Sequence, residues 1–176
     1  VAKNSPADGY TIGMAHSGLM TVPLFVKDMR FDTLKDLRQV MIFAEAGIPL
    51  VASGEAPFNT FNEFIAYAKA NPGKLSMASP GNGSPQHLAG ELFKMMAGID
   101  MVHIPYRGGG PAMTDLLSGQ VQVSFGSVAS SMQYIRSGQL RALGVTTTKR
   151  LDVLPDVPAI AESLPGYFAV GWYGLG

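Results

Sequence analysis

The sequence predicts an α/β protein built on a mostly parallel sheet, because extended apolar segments alternate with helical segments along most of the chain. The alternation is clearest over residues 74–147, where glycines at 98, 119 and 138 follow three helical segments in the position that favours a left-handed residue. Strands joined through helices run in the same direction and receive helices on both faces. The prediction therefore places the sheet between two helical layers.

The first part of the chain supplies further elements. Thr60 and Glu63 have the spacing of a capping box, and Asn71-Pro72-Gly73 is expected to stop the helix that they begin. The predicted elements here are a turn at 6–9, a strand over 11–15, a short helix over 31–37 capped by Asp32, strands over 40–46 and 48–55, and the helix after Thr60.

A strand–turn–helix unit then recurs. Strands are predicted over 74–79, 100–106, 121–127 and 140–147. The helices between them are predicted to start at Ser84, at Pro111 and after a serine-rich turn at 126–131. Pro85 and Pro111 suit the first position of a helix, where a missing N–H costs nothing.

Composition and charge narrow the classes of function. Thirteen basic and thirteen acidic residues cancel, so neither nucleic acid nor an anionic membrane is an expected partner. The absence of cysteine excludes disulfides and thiolate metal sites. No apolar run approaches the roughly 20 residues of a membrane helix. The chain begins at Val1 and stops within a predicted strand, so we expect a piece of a longer protein whose leader is not included.

The turns at the carboxyl ends of the strands are the candidate binding site. In doubly wound sheets these turns face the ligand. Here they are rich in glycine and serine, and Arg107 is the one fixed charge among them. Helix N-termini offer unpaired N–H groups and the positive end of the helix dipole, so several of them could hold a carboxylate. The alternative is that each is only a turn and a cap. These turns cover residues 15–18, 79–86, 106–111 and 126–131.

No catalytic, metal or cofactor motif is present. The sequence has no G-x-S-x-G and no phosphate-binding glycine loop. Its three histidines, His16, His87 and His103, lack metal-ligand spacing. A Ser84, His87 and Asp115 set could be assembled, but no spacing supports it. Trp172 is expected in the core or in a cleft wall.

Several segments, taken in order, resemble one family. They are ADGYTIGMA, ANPGKL, HLAGELF, HIPYRGG, LRALGVT and LPDVP. The chain is similar to the extracytoplasmic substrate-binding receptors of tripartite tricarboxylate transporters, the TctC-like or Bug family. The resemblance implies a periplasmic-binding-protein fold of the second type, with two lobes that trap a small organic acid. It also implies a monomer in the periplasm, no cofactor, and docking on membrane permease subunits.

The resemblance also implies a division of the chain and a set of ligand-binding residues. Residues 1–45 would form part of the first lobe, 46–148 a nearly complete second lobe, and 149–176 the return to the first. The first βα unit and the C-terminal helices of the family would lie outside this chain. The implied ligand-binding residues are His16, Ser17, Gly81, Asn82, Gly83, Ser84, Gln86, Tyr106, Gly108, Gly109, Gly110 and Ser127.

Two other interpretations stay open at this point. One is a small α/β enzyme, a hydrolase or transferase of similar carboxylates that would use Ser84 with His87. The other is a lobe that has lost binding, because part of the family's site is outside the chain. The sequence leaves the identity of the acid open.

Overall fold

The computed structural model describes residues 4–6, 8–29 and 31–176. Residue 7 of the predicted first turn and residues 1–3 and 30 of the predicted first lobe lie outside this description. The elements in chain order are β1 Met14–His16, α1 Gly18–Phe25, β2 Met41–Gly47, β3 Pro49–Ser53, α2 Phe61–Ala70, β4 Ser76–Ser79, α3 Pro85–Ala97, β5 Val102–Pro105, α4 Gly109–Leu117, β6 Val123–Phe125, α5 Val128–Arg136, β7 Leu140–Val145, a 3₁₀ helix Ile160–Glu162 and β8 Val170–Leu175.

These elements form two sheets. The larger has the strand order β5-β4-β6-β3-β7, and the smaller has the order β1-β8-β2. We call the larger sheet with α2 to α5 the large lobe, and the smaller sheet with α1 the small lobe.

The predicted common strand direction holds for most of the large lobe. Strand β4 pairs in parallel with β5 and β6, and β7 runs in the same direction as these three. Strand β3 lies between β6 and β7 and is antiparallel to both. In the small lobe β8 is likewise antiparallel to its neighbours β1 and β2. Each antiparallel strand is the one that the chain enters when it crosses from the other lobe.

The core of the large lobe lies on both faces of its sheet. One cluster packs α2 and α3 against the sheet, with the rings of Phe64 and Phe93 stacked at 5.9 Å and Tyr167 edge-on to Phe93 at 5.8 Å. A second cluster packs Leu116 of α4 against Val51 and Ala78 on the opposite face. Helices therefore cover both faces, as the alternating sequence pattern predicted.

The small lobe is covered less completely by the described residues. Ile12, Met14, Val40, Met41 and Ile42 are each more than half exposed. Met41 and Ile42 are successive in β2, so their side chains point to opposite faces of the small sheet. Exposed apolar side chains on a sheet usually pack against another layer.

The chain crosses between the lobes at two adjacent places. The first crossing is Ile48, between β2 and β3, and the second leads through Ala169 into β8. Buried Thr146 bonds both. Its Oγ1 accepts from the Ile48 N–H at 2.9 Å, its own N–H donates to the Ile48 carbonyl at 3.1 Å, and its carbonyl accepts from the Ala169 N–H at 3.1 Å.

The segment before the second crossing packs on the large lobe. Ile160 and Tyr167 belong to the α2–α3 side of its core, and the Tyr167 hydroxyl donates to the Ala89 carbonyl at 2.9 Å. Only β8 then pairs in the small sheet. The division of the chain at residues 45 and 148 stays a prediction.

The residue patterns at helix ends predicted α2 and α3 correctly. Thr60 caps α2 by accepting from the Glu63 N–H at 3.2 Å, although the Glu63 carboxylate accepts from Asn59 rather than completing the box on Thr60. Pro85 is the first residue of α3, and Gly98 ends it at φ 61°.

Three predicted elements differ from the structure. Helix α4 starts at Gly109, so Pro111 is its third residue. The segment 31–37 forms turns instead of a helix: the Asp32 carboxylate accepts from the Leu34 N–H as a helix cap would, but the turn is not continued beyond the bond from the Asp36 N–H to the Asp32 carbonyl. The first strand covers Met14–His16 and is shifted toward the C-terminus from 11–15.

None of the helices in the described ranges combines the length and apolar character needed to cross a lipid bilayer.

A glycine at the contact of α3 with the sheet gives a test of this packing. A Cβ at Gly90 would lie 2.6 Å from Met77 Cε and 3.2 Å from a Phe125 ring carbon. We expect Gly90→Ala to lower the free energy of unfolding by about 1–3 kcal/mol, because the added methyl overpacks the core. Urea unfolding of the complete protein measures this.

The matched control is Gly110→Ala, also within a helix, where no atom lies within 4 Å of an added Cβ. That variant should be neutral or more stable by up to about 1 kcal/mol. Equal effects of the two substitutions would contradict the close packing of α3.

Candidate functional site

A cavity of about 750 Å³ lies between the two lobes. Its walls come from the end of β1, the first chain crossing, the turn before α3, the turn before α5, and β8. No Asp, Glu, Lys or Arg is among the described residues that line it. An anion held here would therefore depend on hydrogen-bond donors and dipoles rather than on an ion pair.

Three helices begin at this cavity, each after a serine. Ser17 precedes α1, Ser84 precedes α3 and Ser127 precedes α5, and all three line the cavity. The first N–H groups of a helix have no partner within the helix, and they lie at the positive end of its dipole. Three such ends at one cavity create a positive potential without a charged side chain.

The hydroxyls of these serines differ in their bonding. Ser84 Oγ accepts from the His87 N–H at 3.2 Å and donates to the Gly81 carbonyl at 2.8 Å, so it caps α3. Neither Ser17 nor Ser127 makes a side-chain capping bond, and the buried Ser17 Oγ has no hydrogen-bond partner. A buried hydroxyl without a partner is costly, so a ligand or water that bonds it would be stabilised.

The structure brings together five of the predicted binding residues in the cavity wall. The His16 Nδ1 accepts from the Gly18 N–H at 3.1 Å, which holds the imidazole over the start of α1. The five residues are His16, Ser17, Ser84, Gln86 and Ser127.

The other seven predicted residues lie outside the cavity lining. They form two adjoining turns at the same end of the sheet: the Tyr106 N–H donates to the Ser79 carbonyl and the Gly108 N–H to the Pro80 carbonyl, each at 3.0 Å. The turn that begins at Tyr106 thus holds the turn before α3 in place through these two bonds. Direct ligand contact by these residues stays a prediction. They are Gly81, Asn82, Gly83, Tyr106, Gly108, Gly109 and Gly110.

Tyr106 and two of these glycines have other surroundings. The Tyr106 hydroxyl donates to Asp115 Oδ2 at 2.6 Å, and burial together with this bond raises the pKa of Tyr106 to about 12. Gly109 and Gly110 line a separate groove between α4 and α5.

Sequence reasoning missed part of the wall. The residues that line the cavity but were not predicted include Gly47 and Ile48 of the first crossing, and Gly171 and Tyr173 of β8. Trp172, which was expected in the core or in a cleft wall, also lines it. Their role depends on two crossings lying side by side, and residue spacing carries no signal of that.

The Ser84, His87 and Asp115 set is not arranged for nucleophilic catalysis. Ser84 Oγ bonds the backbone N–H of His87, while the His87 imidazole accepts from the Gly83 N–H at 3.1 Å. Asp115 bonds Tyr106. The hydrogen-bond chain from nucleophile to base to acid that such chemistry uses is therefore not formed by these three residues.

One cluster has metal-ligand chemistry. Three possible ligand atoms, one from each of His87, Glu91 and His103, lie within 4.8 Å of one another. Their ligand atoms already have protein partners: Lys94 Nζ donates to both Glu91 oxygens at 3.1 Å, and His103 Nε2 lies 2.6 Å from Ser79 Oγ. The two imidazoles also stack at 4.0 Å, which turns their in-plane lone pairs away from a common point. We assign the cluster a structural role.

A family model described as "Tripartite tricarboxylate transporter family receptor", TctC, matches residues 1–175. The chain belongs to the TctC receptor family. The sequence resemblance is thereby confirmed.

Sequence relatives of this TctC chain come from several bacteria. The UPF0065 protein in the tcbD-tcbE intergenic region of Pseudomonas sp. (strain P51) is 38% identical over 177 residues, which cover 99% of this chain and 52% of that protein. Protein BugT of Bordetella pertussis is 34% identical over 178 residues, covering 97% and 53%. The TctC chain thus spans about half the length of the curated relatives it matches.

Solved structures of the family have the same fold. The R. palustris protein Rpa4515, with adipate, superposes with a TM-score of 0.95 at 33% identity, over 99% of this chain and 59% of that one. The periplasmic binding protein BugD gives 0.90 at 32%, over 99% and 58%. MatC (Rpa3494) of Rhodopseudomonas palustris, with bound malate, gives 0.86 at 28%, over 99% and 60%. The TctC chain therefore has the periplasmic-binding-protein-like α/β fold.

The stacked histidines predict a pH dependence of stability. Burial is the main cause that lowers the pKa of both His87 and His103 from 6.5; for His87, Glu91 partly opposes this and Lys94 adds to it. For His103, the neighbouring His87 adds to the lowering. The unfolded chain therefore binds more protons than the native protein as the pH falls below about 6.5. The two neutral imidazoles therefore contribute fully to the free energy of unfolding above about pH 6.5. This contribution is lost as the pH falls through their lowered pKa values.

We expect His103→Gln to flatten the decline in unfolding free energy between about pH 7 and pH 5, relative to the parent. Urea unfolding of the complete protein at a series of pH values measures it. Val102→Gln, at a half-exposed neighbour on β5, introduces the same side chain without removing an imidazole and should keep the parent slope. Parallel profiles for parent and His103→Gln would contradict the role given to this pair.

Proposed function

We propose that the complete protein is a solute-binding receptor that captures a small organic acid in the cavity between its two lobes. The observation that carries the proposal is the convergence of three serine-preceded helix N-termini on one cavity. The described residues that line this cavity include no Asp, Glu, Lys or Arg. A carboxylate placed there would accept from backbone N–H and hydroxyl donors that otherwise need water.

The available interactions are sufficient in magnitude. A hydrogen bond to a charged group contributes about 1.5–3 kcal/mol, and a helix terminus contributes about 0.3–1 kcal/mol when exposed and up to about 2 kcal/mol when partly buried. Three or four such donors, with apolar contact from the wall, are consistent with micromolar affinity, which corresponds to about −8 kcal/mol.

Related structures support an acid as the ligand class. One family member is bound to adipate and another to malate, and both acids carry two carboxylates. The tripartite family description supports delivery of the acid to membrane permease subunits, and the periplasmic relative BugD supports an extracytoplasmic location. We infer that the complete protein acts there as a monomer, without a cofactor and without nucleic acid.

The structure disfavours the alternative of an enzyme acting on such acids, because Ser84 and Asp115 are bonded to groups other than the His87 imidazole. Disappearance of the acid on incubation with purified protein would favour that alternative.

Ser127 offers a direct test of the binding mode. Its hydroxyl makes no side-chain capping bond for α5 and its residue lines the cavity. Ser127→Ala in the complete protein should weaken acid binding by about 1.5–3 kcal/mol, roughly ten- to a hundredfold, because a bond to a carboxylate is lost. Calorimetric titration with adipate and malate measures it.

The control is Ser137→Ala at the other end of the same helix, where the exposed hydroxyl donates to the Tyr134 carbonyl. It should leave the affinity unchanged. Adipamide, the uncharged counterpart of adipate, should bind far more weakly if the helix termini select the anion. Equal binding of adipate and adipamide, or no binding by a wider panel of organic acids, would refute the proposal.

A further inference from the structure

We propose that Thr21, Phe25 and Gly83 form a clasp between the lobes, in which Thr21 is a positioning residue for the turn that carries Ser84. Its effect on acid binding rests on the function proposed above, whereas its effect on lobe closure does not. The clasp joins helix α1 of the small lobe to the turn before α3 of the large lobe.

The central contact is a short hydrogen bond between the lobes. Thr21 Oγ1 lies 2.6 Å from the Gly83 carbonyl oxygen and 3.0 Å from the Gly18 carbonyl oxygen one turn earlier. A hydroxyl has one proton, so it can serve the local carbonyl or the distant one. The shorter distance assigns the proton to Gly83, across 62 residues of sequence.

Phe25 covers the same turn from the same helix. A Cβ at Gly83 would lie 2.7 Å from one Phe25 ring carbon and 3.1 Å from another, and the Phe25 ring lies edge-on to His87 at 5.9 Å. Gly83 is buried and has φ +76°. A glycine is therefore required at position 83 for two reasons: the backbone conformation and the Phe25 ring that covers it.

The clasp lies beside the cavity and acts through neighbours. Thr21 lines a small recess with Pro85 and Leu88 and is absent from the cavity wall. Ser17, four residues earlier, begins the same helix and does line the cavity. Helix α1 thus touches the cavity at its first turn and holds Gly83, the residue before Ser84, one turn later.

The clasp exists only while α1 lies against the turn before α3, an arrangement that we call the closed state of the lobes. Separation of the lobes must break the Thr21–Gly83 bond and move the Phe25 ring away from Gly83, whereas the bond from Thr21 to Gly18 stays available within α1. The clasp therefore stabilises the closed state without contacting the ligand, and its loss should speed opening and release.

The test uses Thr21→Val in the complete protein, which keeps the shape of the side chain and removes the hydroxyl. Thr21→Ser restores the hydroxyl. The matched control is Thr114→Val on α4, where the exposed hydroxyl bonds only the Gly110 carbonyl within its own helix, at 3.3 Å. Thermal unfolding of all four proteins checks that any effect is not a general loss of stability.

The first readout needs no ligand. Cysteines replace Lys35, exposed on the small-lobe side, and Gln139, exposed on the large lobe, and each carries a spin label. Pulsed electron paramagnetic resonance then measures the distance between the lobes. Thr21→Val should lower the ratio of closed to open molecules by about two- to tenfold, the effect of one hydrogen bond, and Thr21→Ser should restore it. Identical distance distributions in parent and Thr21→Val would overturn the clasp.

The second readout is the dissociation rate of adipate or another acid found by calorimetry. Thr21→Val should raise it by about two- to tenfold with little change in the association rate, and Thr114→Val should match the parent. An unchanged dissociation rate would also overturn the clasp. A changed distance distribution in a protein that binds no acid would support the clasp and refute the receptor function.

Discussion

Thr146 holds the architecture together, because this one buried residue bonds both crossings of the chain between the lobes. Its hydroxyl and N–H pair with Ile48 in the first crossing, and its carbonyl accepts from Ala169 in the second. The two crossings consequently lie side by side, and the cavity is lined by the first crossing and by the β8 residues that follow the second. A buried hydroxyl with satisfied partners is also the arrangement in which a polar group costs least in a core.

Sequence reasoning succeeded where the structural signal is local. Thr60 marks the start of α2, and Pro85 and Gly98 mark the two ends of α3. Thr60 accepts from a first-turn N–H, Pro85 has no N–H to leave unpaired, and Gly98 adopts the left-handed conformation. It was less successful for α1, an apolar segment with Pro23 inside it and no capping bond at Ser17. Such a helix depends on tertiary packing, here including the contacts of Thr21 and Phe25 with the large lobe.

The alternation of strands and helices along the sequence could not predict that β3 and β8 run antiparallel to their neighbours. Their own sequences read correctly as extended, but their neighbours in the sheets are set by where the chain re-enters each lobe. The candidate site shows the same division. The serines at helix starts could be found from turn chemistry, whereas Gly47 and Ile48 could not, because they reach the cavity only through long-range pairing. The positive φ of Gly81, Gly83 and Gly108 accounts for glycine there without reference to a ligand.

The described part of the cavity wall has no acidic or basic side chain, and this has a consequence for the kinetics of binding. Fixed charges attract ions over about 8–10 Å at physiological ionic strength and weaken as salt rises, whereas dipoles of helix ends act only within the first turn. A receptor built this way gains little from long-range attraction, so discrimination among solutes would be made after encounter, through residence time.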